Sequence, residues 1–109
     1  MRTVLDVENN TTKRGGKTLL DPWEPGNFLV QVGTQNVDVP SELHILTFDH
    51  KEKKDVGNSA AFVLQTILDE TSLLIMHNAR HDMPWLWEAG FKYDGPIYDT
   101  MIGEYLLRS

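Results

Sequence analysis

The chain contains no cysteine. That removes a disulfide scaffold, a thiolate zinc site and a cysteine nucleophile together, and it fits a reducing compartment. No apolar run approaches the ~18 residues needed to span a bilayer. No secretory leader is expected either, because Asp6 interrupts Met1-Arg2-Thr3-Val4-Leu5 before an apolar stretch can form. The expected setting is the cytoplasm, with no membrane partner. Positive charge is also scarce: ten bases stand against sixteen acids, a net charge of −6. A protein that grips nucleic acid by bulk charge alone is thereby excluded. An enzyme that carries its positive charge as bound metal ions is not, since such ions need carboxylates. Internal repeats and low-complexity segments are absent.

What is present describes one soluble domain. The chain has 109 residues, 40% of them apolar and 24% charged. A domain of this size buries about two-thirds of its unfolded surface, enough for one modest core. Val4, Leu5 and Val7 read as a strand around Asp6. A polar stretch, Asn9 to Asn27, comes next, and Gly15-Gly16 suits a hairpin-like excursion within it. Phe28–Gly33 and Leu43–Phe48 read as two further strands, so the first three form an antiparallel meander. The period then changes to helical. Ser59 is a plausible N-cap for a run carrying Ala60, Phe62, Val63, Leu64, Ile67 and Leu68. Leu73–Met76 reads as a strand covered on both faces. A second helix runs from His81 to Ala89 and is closed by Gly90. Ile97-Tyr98 is a short strand, and Asp99 caps a third helix with Met101, Ile102, Tyr105 and Leu106, which stops without a Gly or Pro signal. This order describes an α/β domain with a five-stranded mixed sheet and an incomplete last helix.

Asp6 and Glu8 lie two apart on a strand, hence on one face. Either the strand ends at Leu5 and both acids sit in a solvated turn, or the like charges are relieved by a cation. Asn78 and Asp82 lie where a buried strand gives way to a helix, the end of an α/β sheet at which ligands collect. Asp82 also suits the first helical turn on dipole grounds, and Asn78 suits a turn. Trp85 and Leu86 fall three and four residues after Asp82, near its face, so Trp85 is either core or a platform for base stacking. Trp87, on another face, reads as core or interface. Lys13, Arg14 and Lys17 form one basic cluster and Lys51, Lys53 and Lys54 another; both read as solvated loops.

Taken together, Asp6-Val7-Glu8, then Asn78-x-x-x-Asp82, then Tyr98-Asp99-Thr100-Met101 resemble the 3′–5′ exonuclease domain of A-family DNA polymerases, part of the DEDD exonuclease superfamily. The insertion with Leu20-Asp21-Pro22-Trp23-Glu24-Pro25 and the Trp85-Leu86-Trp87-Glu88 helix look most like bacteriophage members, whose setting would be the host cytoplasm. The resemblance covers residues 1–109 and implies a ribonuclease H-like three-layer fold. It implies that Asp6, Glu8 and Asp82 hold two divalent cations, Mg²⁺ or Mn²⁺, with Asp6 bridging them. It implies that Asn78 shapes its turn and touches substrate, that His81 stands where relatives carry Tyr or Phe, and that Asp99 is structural. The reaction implied is metal-dependent hydrolysis of the 3′-terminal phosphodiester of single-stranded DNA, proofreading for a polymerase domain expected C-terminal to this one.

One part of the pattern is missing. The family carries a third motif, a Tyr or His followed some residues later by an Asp that completes the metal site. After Tyr105 come only Leu106, Leu107, Arg108 and Ser109. The chain therefore reads as a piece of a longer polymerase. The alternatives are a nuclease-inactive nucleic-acid-binding or structural module of a polymerase, and an RNA-processing exonuclease of the same superfamily.

Overall fold

A computed structural model of the chain describes residues 1–10, 12–14, 17–19, 23, 26–48 and 56–106. Lys51, Lys53 and Lys54 lie outside these residues, as do Gly15, Gly16 and residues 107–109. Eight strands and two helices succeed one another. They are β1 (Arg2–Asn10), β2 (Thr12–Arg14), β3 (Lys17–Leu19), β4 (Phe28–Asn36), β5 (Leu43–Thr47), α1 (Val56–Asp69), β6 (Leu73–Met76), α2 (Ala79–Glu88), β7 (Ile97–Asp99) and β8 (Glu104–Leu106). β2 and β3 pair only with each other; the rest form one sheet in the order β5-β4-β1-β6-β7-β8. The meander β1-β4-β5 is antiparallel, whereas β6 and β7 join parallel to β1 and to each other. The five-stranded mixed sheet expected from the sequence is thus present, with β8 added as a short sixth strand.

Alternation along β1 decides which face is covered. Thr3, Leu5 and Val7 point inward while Val4, Asp6 and Glu8 are exposed. Leu5, Val32, Leu74 and Ile97 on the inward face share one hydrophobic cluster with Leu64 and Leu68 of α1 and with Met83, Trp85 and Leu86 of α2. Both helices therefore lie on the same face of the sheet. Each buried Leu contributes about 1.5–3 kcal/mol by leaving water. Val4, Leu43 and Ile45 remain exposed on the opposite face. No helix among the described residues is long and apolar enough to cross a membrane.

α1 starts at Val56, so Ser59 sits inside it rather than capping it. Phe62, read from the sequence as part of its apolar face, is 73% exposed and turned away from the sheet. The helix ends where Thr71 Oγ1 hydrogen-bonds the Ile67 carbonyl at 2.6 Å and meets Thr3 Oγ1 at 2.8 Å, tying it to β1.

The incomplete third helix expected after Asp99 does not form. The chain turns instead through 100–103 and returns as β8, antiparallel to β7, with Asp99 opposite Glu104. Two causes are visible. Gly103 takes a left-handed φ of +65°, which ends any helix within one turn. Met101 and Ile102 stay exposed, so a helix there would have no apolar face to bury. Nothing lies within 4 Å of a Cβ built on Gly103, so replacing it probes backbone conformation alone. Gly103→Ala should destabilise the chain by about 1 kcal/mol, the cost of a left-handed Ala. In a helix the same change would stabilise by about as much. The sign of the shift in urea midpoint decides between the two.

Candidate active site at the carboxyl end of the central strand

β1 outruns its neighbour. It pairs with β4 from Thr3 to Asn10 but with β6 only from Arg2 to Val4. Asp6, Val7 and Glu8 therefore have no β6 residue beside them. The chain leaves β6, passes His77 and Asn78, and lays the first turn of α2 in that position. The Val7 N–H hydrogen-bonds the Asp82 carboxylate there, and Asp6 is close enough to oppose its charge. Asp82 thus lies against the middle of β1, beyond the end of β6, and not at an edge of the sheet.

Asp82 is 7% exposed. Burial pushes its pKa up from an ordinary value of 3.8 to about 6. The charge of Asp6, and more weakly that of Asp99, acts in the same direction. His81 and the Val7 N–H act against it, favouring the carboxylate. A raised pKa in the first turn of a helix is informative, because the helix dipole by itself favours an anion there. Glu8 is exposed on the same face of β1 as Asp6, two residues further on, where the ladder with β4 is broken by a bulge between Glu8 and Asn9. Among the described residues, no three His, Asp or Glu side chains are gathered closely enough to hold a metal ion. Of the expected site residues, Asp6 lies near enough to Asp82 for its charge to act on it, and Glu8 lies two residues further along the strand.

Asn78 shapes the turn as the sequence suggested. It is the only described non-glycine residue with positive φ, at 66°, and its side chain makes no cap hydrogen bond. Asn is among the residues that tolerate this region. The N-cap role falls to Asp99, which is 2% exposed. Its carboxylate accepts from the Asn78 N–H at 2.9 Å, the Ala79 N–H at 2.8 Å and the Met101 N–H at 2.9 Å. Asp99 thus caps α2 from another strand instead of opening a third helix. Burial disfavours its charge, but these three donors outweigh burial and hold its pKa below the usual carboxylate range. This clasp fixes the start of α2, and with it Asp82. No spacing signal could have revealed it, since Asp99 is twenty residues from the groups it caps.

Trp85 needs correction as a substrate platform. It is 2% exposed and belongs to the core. The face of α2 that carries Asp82 also carries Met83 and Leu86 and is turned onto the sheet, so a residue three positions on is carried inward. Its Nε1 has no hydrogen-bond partner. His81, one residue before Asp82, is half-buried.

These features define an open mixed α/β sheet with a buried acid, Asp82, set against the central strand within range of the charge of an exposed one, Asp6. No protein-family model matches the sequence, and no curated protein matches it. Among solved structures, the chain is similar to the family B DNA polymerase from the hyperthermophilic archaeon Pyrobaculum calidifontis, with a TM-score of 0.57 and 13% identity. The match covers 97% of this chain and 14% of the polymerase. At that identity the likeness is one of fold. It is with family B, whereas the sequence motifs resemble the A family.

Proposed function

We propose that the chain is the 3′–5′ exonuclease domain of a DNA polymerase, of A-family type by its motifs. It hydrolyses the 3′-terminal phosphodiester of single-stranded DNA with Mg²⁺ or Mn²⁺. The observation that carries this reading is Asp82, buried beside Asp6 with its pKa raised. A carboxylate whose pKa is raised chiefly by burial, with a second carboxylate near enough to oppose its charge, suits a hard divalent cation, which takes oxygen ligands and offsets both effects. Asp6 would hold the ion from the exposed face of β1, Asp82 from the first turn of α2, and Glu8 from two residues along the strand. When bound, the ions polarise the phosphoryl oxygen and lower the pKa of the attacking water. The chain's own contribution is positional. The Val7 N–H and His81 favour the Asp82 anion, the Asp99 clasp holds α2 in register, and Asn78 and His81 would contact the terminal nucleotide.

The lack of a three-ligand cluster among the described residues favours a second reading, a nuclease-inactive binding module. Digestion of a 3′-labelled DNA oligonucleotide separates the two. The chain alone, and the chain extended through a Tyr-x-x-x-Asp motif, are compared in Mg²⁺ and in EDTA. We expect slow Mg²⁺-dependent release of 3′ mononucleotides from the first and faster release from the second. No release from the extended form, or release that persists in EDTA, overturns the proposal. Release from RNA alone points to the RNA-processing branch.

A further inference from the structure

We propose that the recess between the carboxyl end of α1 and the start of β1 binds a guanidinium group, carried by an arginine side chain or by a small guanidino compound. Asp6 and Asp82 take no part in it, so its failure would leave the nuclease reading standing.

The floor of the recess holds an unanswered polar group. Thr34 on β4 lines it, is 2% exposed, and has no hydrogen-bond partner for its Oγ1. A buried hydroxyl left in this way costs about 1–3 kcal/mol. Thr3 on β1 lines the same recess and is as deeply buried. Its proton is committed. Thr71 Oγ1 donates to the Ile67 carbonyl at 2.6 Å, so Thr3 Oγ1 is the donor in its 2.8 Å contact with Thr71 Oγ1. Thr3 therefore has only lone pairs to offer a ligand. The recess measures about 80 Å³, well above the ~10–15 Å³ that suffices for one water.

Charge sets the sign of the ligand. Glu42 and Glu70 line the rim. Ile67, in the last turn of α1, forms part of the wall, and that turn contains no basic residue. The carboxyl end of a helix carries roughly half a negative charge, and α1 supplies no cation of its own to answer it. Met1 and His44 are the basic groups on the lining. The Met1 ammonium is engaged, donating to Ser72 Oγ at 3.2 Å.

Spacing then separates one cation from another. Among the described residues, no three His, Asp or Glu side chains gather closely enough to hold a metal ion, and Glu42, His44 and Glu70 are no exception. A metal ion or a compact ammonium wants acceptors converging on one point. A guanidinium spreads five N–H donors over a planar fork and reaches acceptors that stand apart. Glu42 is held for such a contact, because its Oε1 accepts from Asn36 Nδ2 at 3.0 Å. Ile67 offers apolar surface to the ligand's stem.

The test follows backbone amide shifts by two-dimensional NMR in EDTA at pH 8 and constant ionic strength. Nα-acetyl-argininamide, methylguanidine and ethylammonium are titrated into the chain. Wild type should show saturable shifts at Thr34, Asn36 and Glu70 with a guanidinium probe. Ethylammonium should bind roughly tenfold more weakly, since it has no fork to bridge separate acceptors. Thr34→Val removes the hydroxyl and keeps the shape, so it should melt no lower than wild type. It should nevertheless bind about tenfold more weakly, the loss of one hydrogen bond to a charged group. Glu70→Gln, at an exposed position, should lose a similar factor. Both results support the proposal if methylguanidine alone binds, which assigns the recess to a small compound, or if the argininamide binds as tightly, which assigns it to an arginine side chain. Three outcomes overturn it. Absence of saturable shifts in wild type leaves the recess to water. Ethylammonium binding as tightly as methylguanidine reduces it to unspecific charge attraction. Unchanged affinity in both Thr34→Val and Glu70→Gln places the probe elsewhere.

Discussion

Asp82→Asn should make the chain more stable at pH 8 while removing the Mg²⁺-dependent hydrolysis proposed for it. The stability gain arises from linkage. The folded pKa of Asp82, about 6, lies above its ordinary value of 3.8. A carboxyl raised in this way contributes stability that is fully present below pH 4 and is lost as pH rises through about 6. A shift of that size corresponds to something on the order of 2–3 kcal/mol at neutral pH and above. Asn keeps a carbonyl oxygen for the Val7 N–H but never ionises. Its buried amide N–H₂ needs partners of its own and offsets about 1 kcal/mol of the gain. The net expectation at pH 8 is a melting temperature higher by roughly 5–10 °C, converted at 4–8 °C per kcal/mol for a small domain. At pH 4, where Asp82 is neutral, only the cost of the amide remains, and the variant should melt roughly 4–8 °C below wild type. Thermal melts of both across pH 4–8 check this; equal melting temperatures at pH 8 would show that Asp82 bears no strain. Below pH 4 a different group governs. Asp99 has a lowered pKa, so its contribution is present above an ordinary carboxylate value of 3.8 and is lost as pH falls through the folded value.

Asp6→Ala should leave the fold almost untouched and cost at least a hundredfold in hydrolysis. Asp6 is exposed on β1, and surface substitutions away from caps and networks move stability by about 0.5 kcal/mol or less. Its removal also relieves Asp82, whose pKa should fall because one of its repelling charges is gone. The loss is catalytic. Changing a group that merely supports a metal ligand costs about 10–100-fold. A ligand expected to touch both ions should cost more. Initial rates on a 3′-labelled oligonucleotide in Mg²⁺, with the melting temperature measured alongside, separate the two effects. A large fall in melting temperature would assign Asp6 to the fold instead.

Five of the strands, β1, β4, β5, β6 and β7, were legible because their causes are local or periodic. Leu5 and Val7 alternate around Asp6, and Leu73–Met76 is apolar throughout, so β1 and β6 emerge from pattern. Gly90, at φ 95°, closes α2 as its residue type foretold. The same pattern put Asp6 and Glu8 on one face, and Asp82 in the first turn of the next helix. Sequence and structure part where tertiary placement decides. Asp99 has the residue type and position of an N-cap for the segment after it, and is in fact the cap of a helix that begins twenty residues before it. Trp85 shares a face with Asp82, but that face packs on the sheet. Met101 and Ile102 have helical spacing, yet Gly103 and the pairing of β8 with β7 override it. Val7 was invisible as a site residue because its backbone, not its side chain, does the binding.

The central claim is that Asp6 and Asp82 form one divalent-cation site. Mn²⁺ titration at pH 8, followed by the fall in free-Mn²⁺ paramagnetic resonance signal, tests it most directly in wild type, Asp6→Ala and Asp82→Asn. Wild type should bind Mn²⁺, and each variant should bind at least tenfold more weakly while remaining folded. Wild type that binds no Mn²⁺, or variants that bind it as tightly as wild type does, would contradict the account.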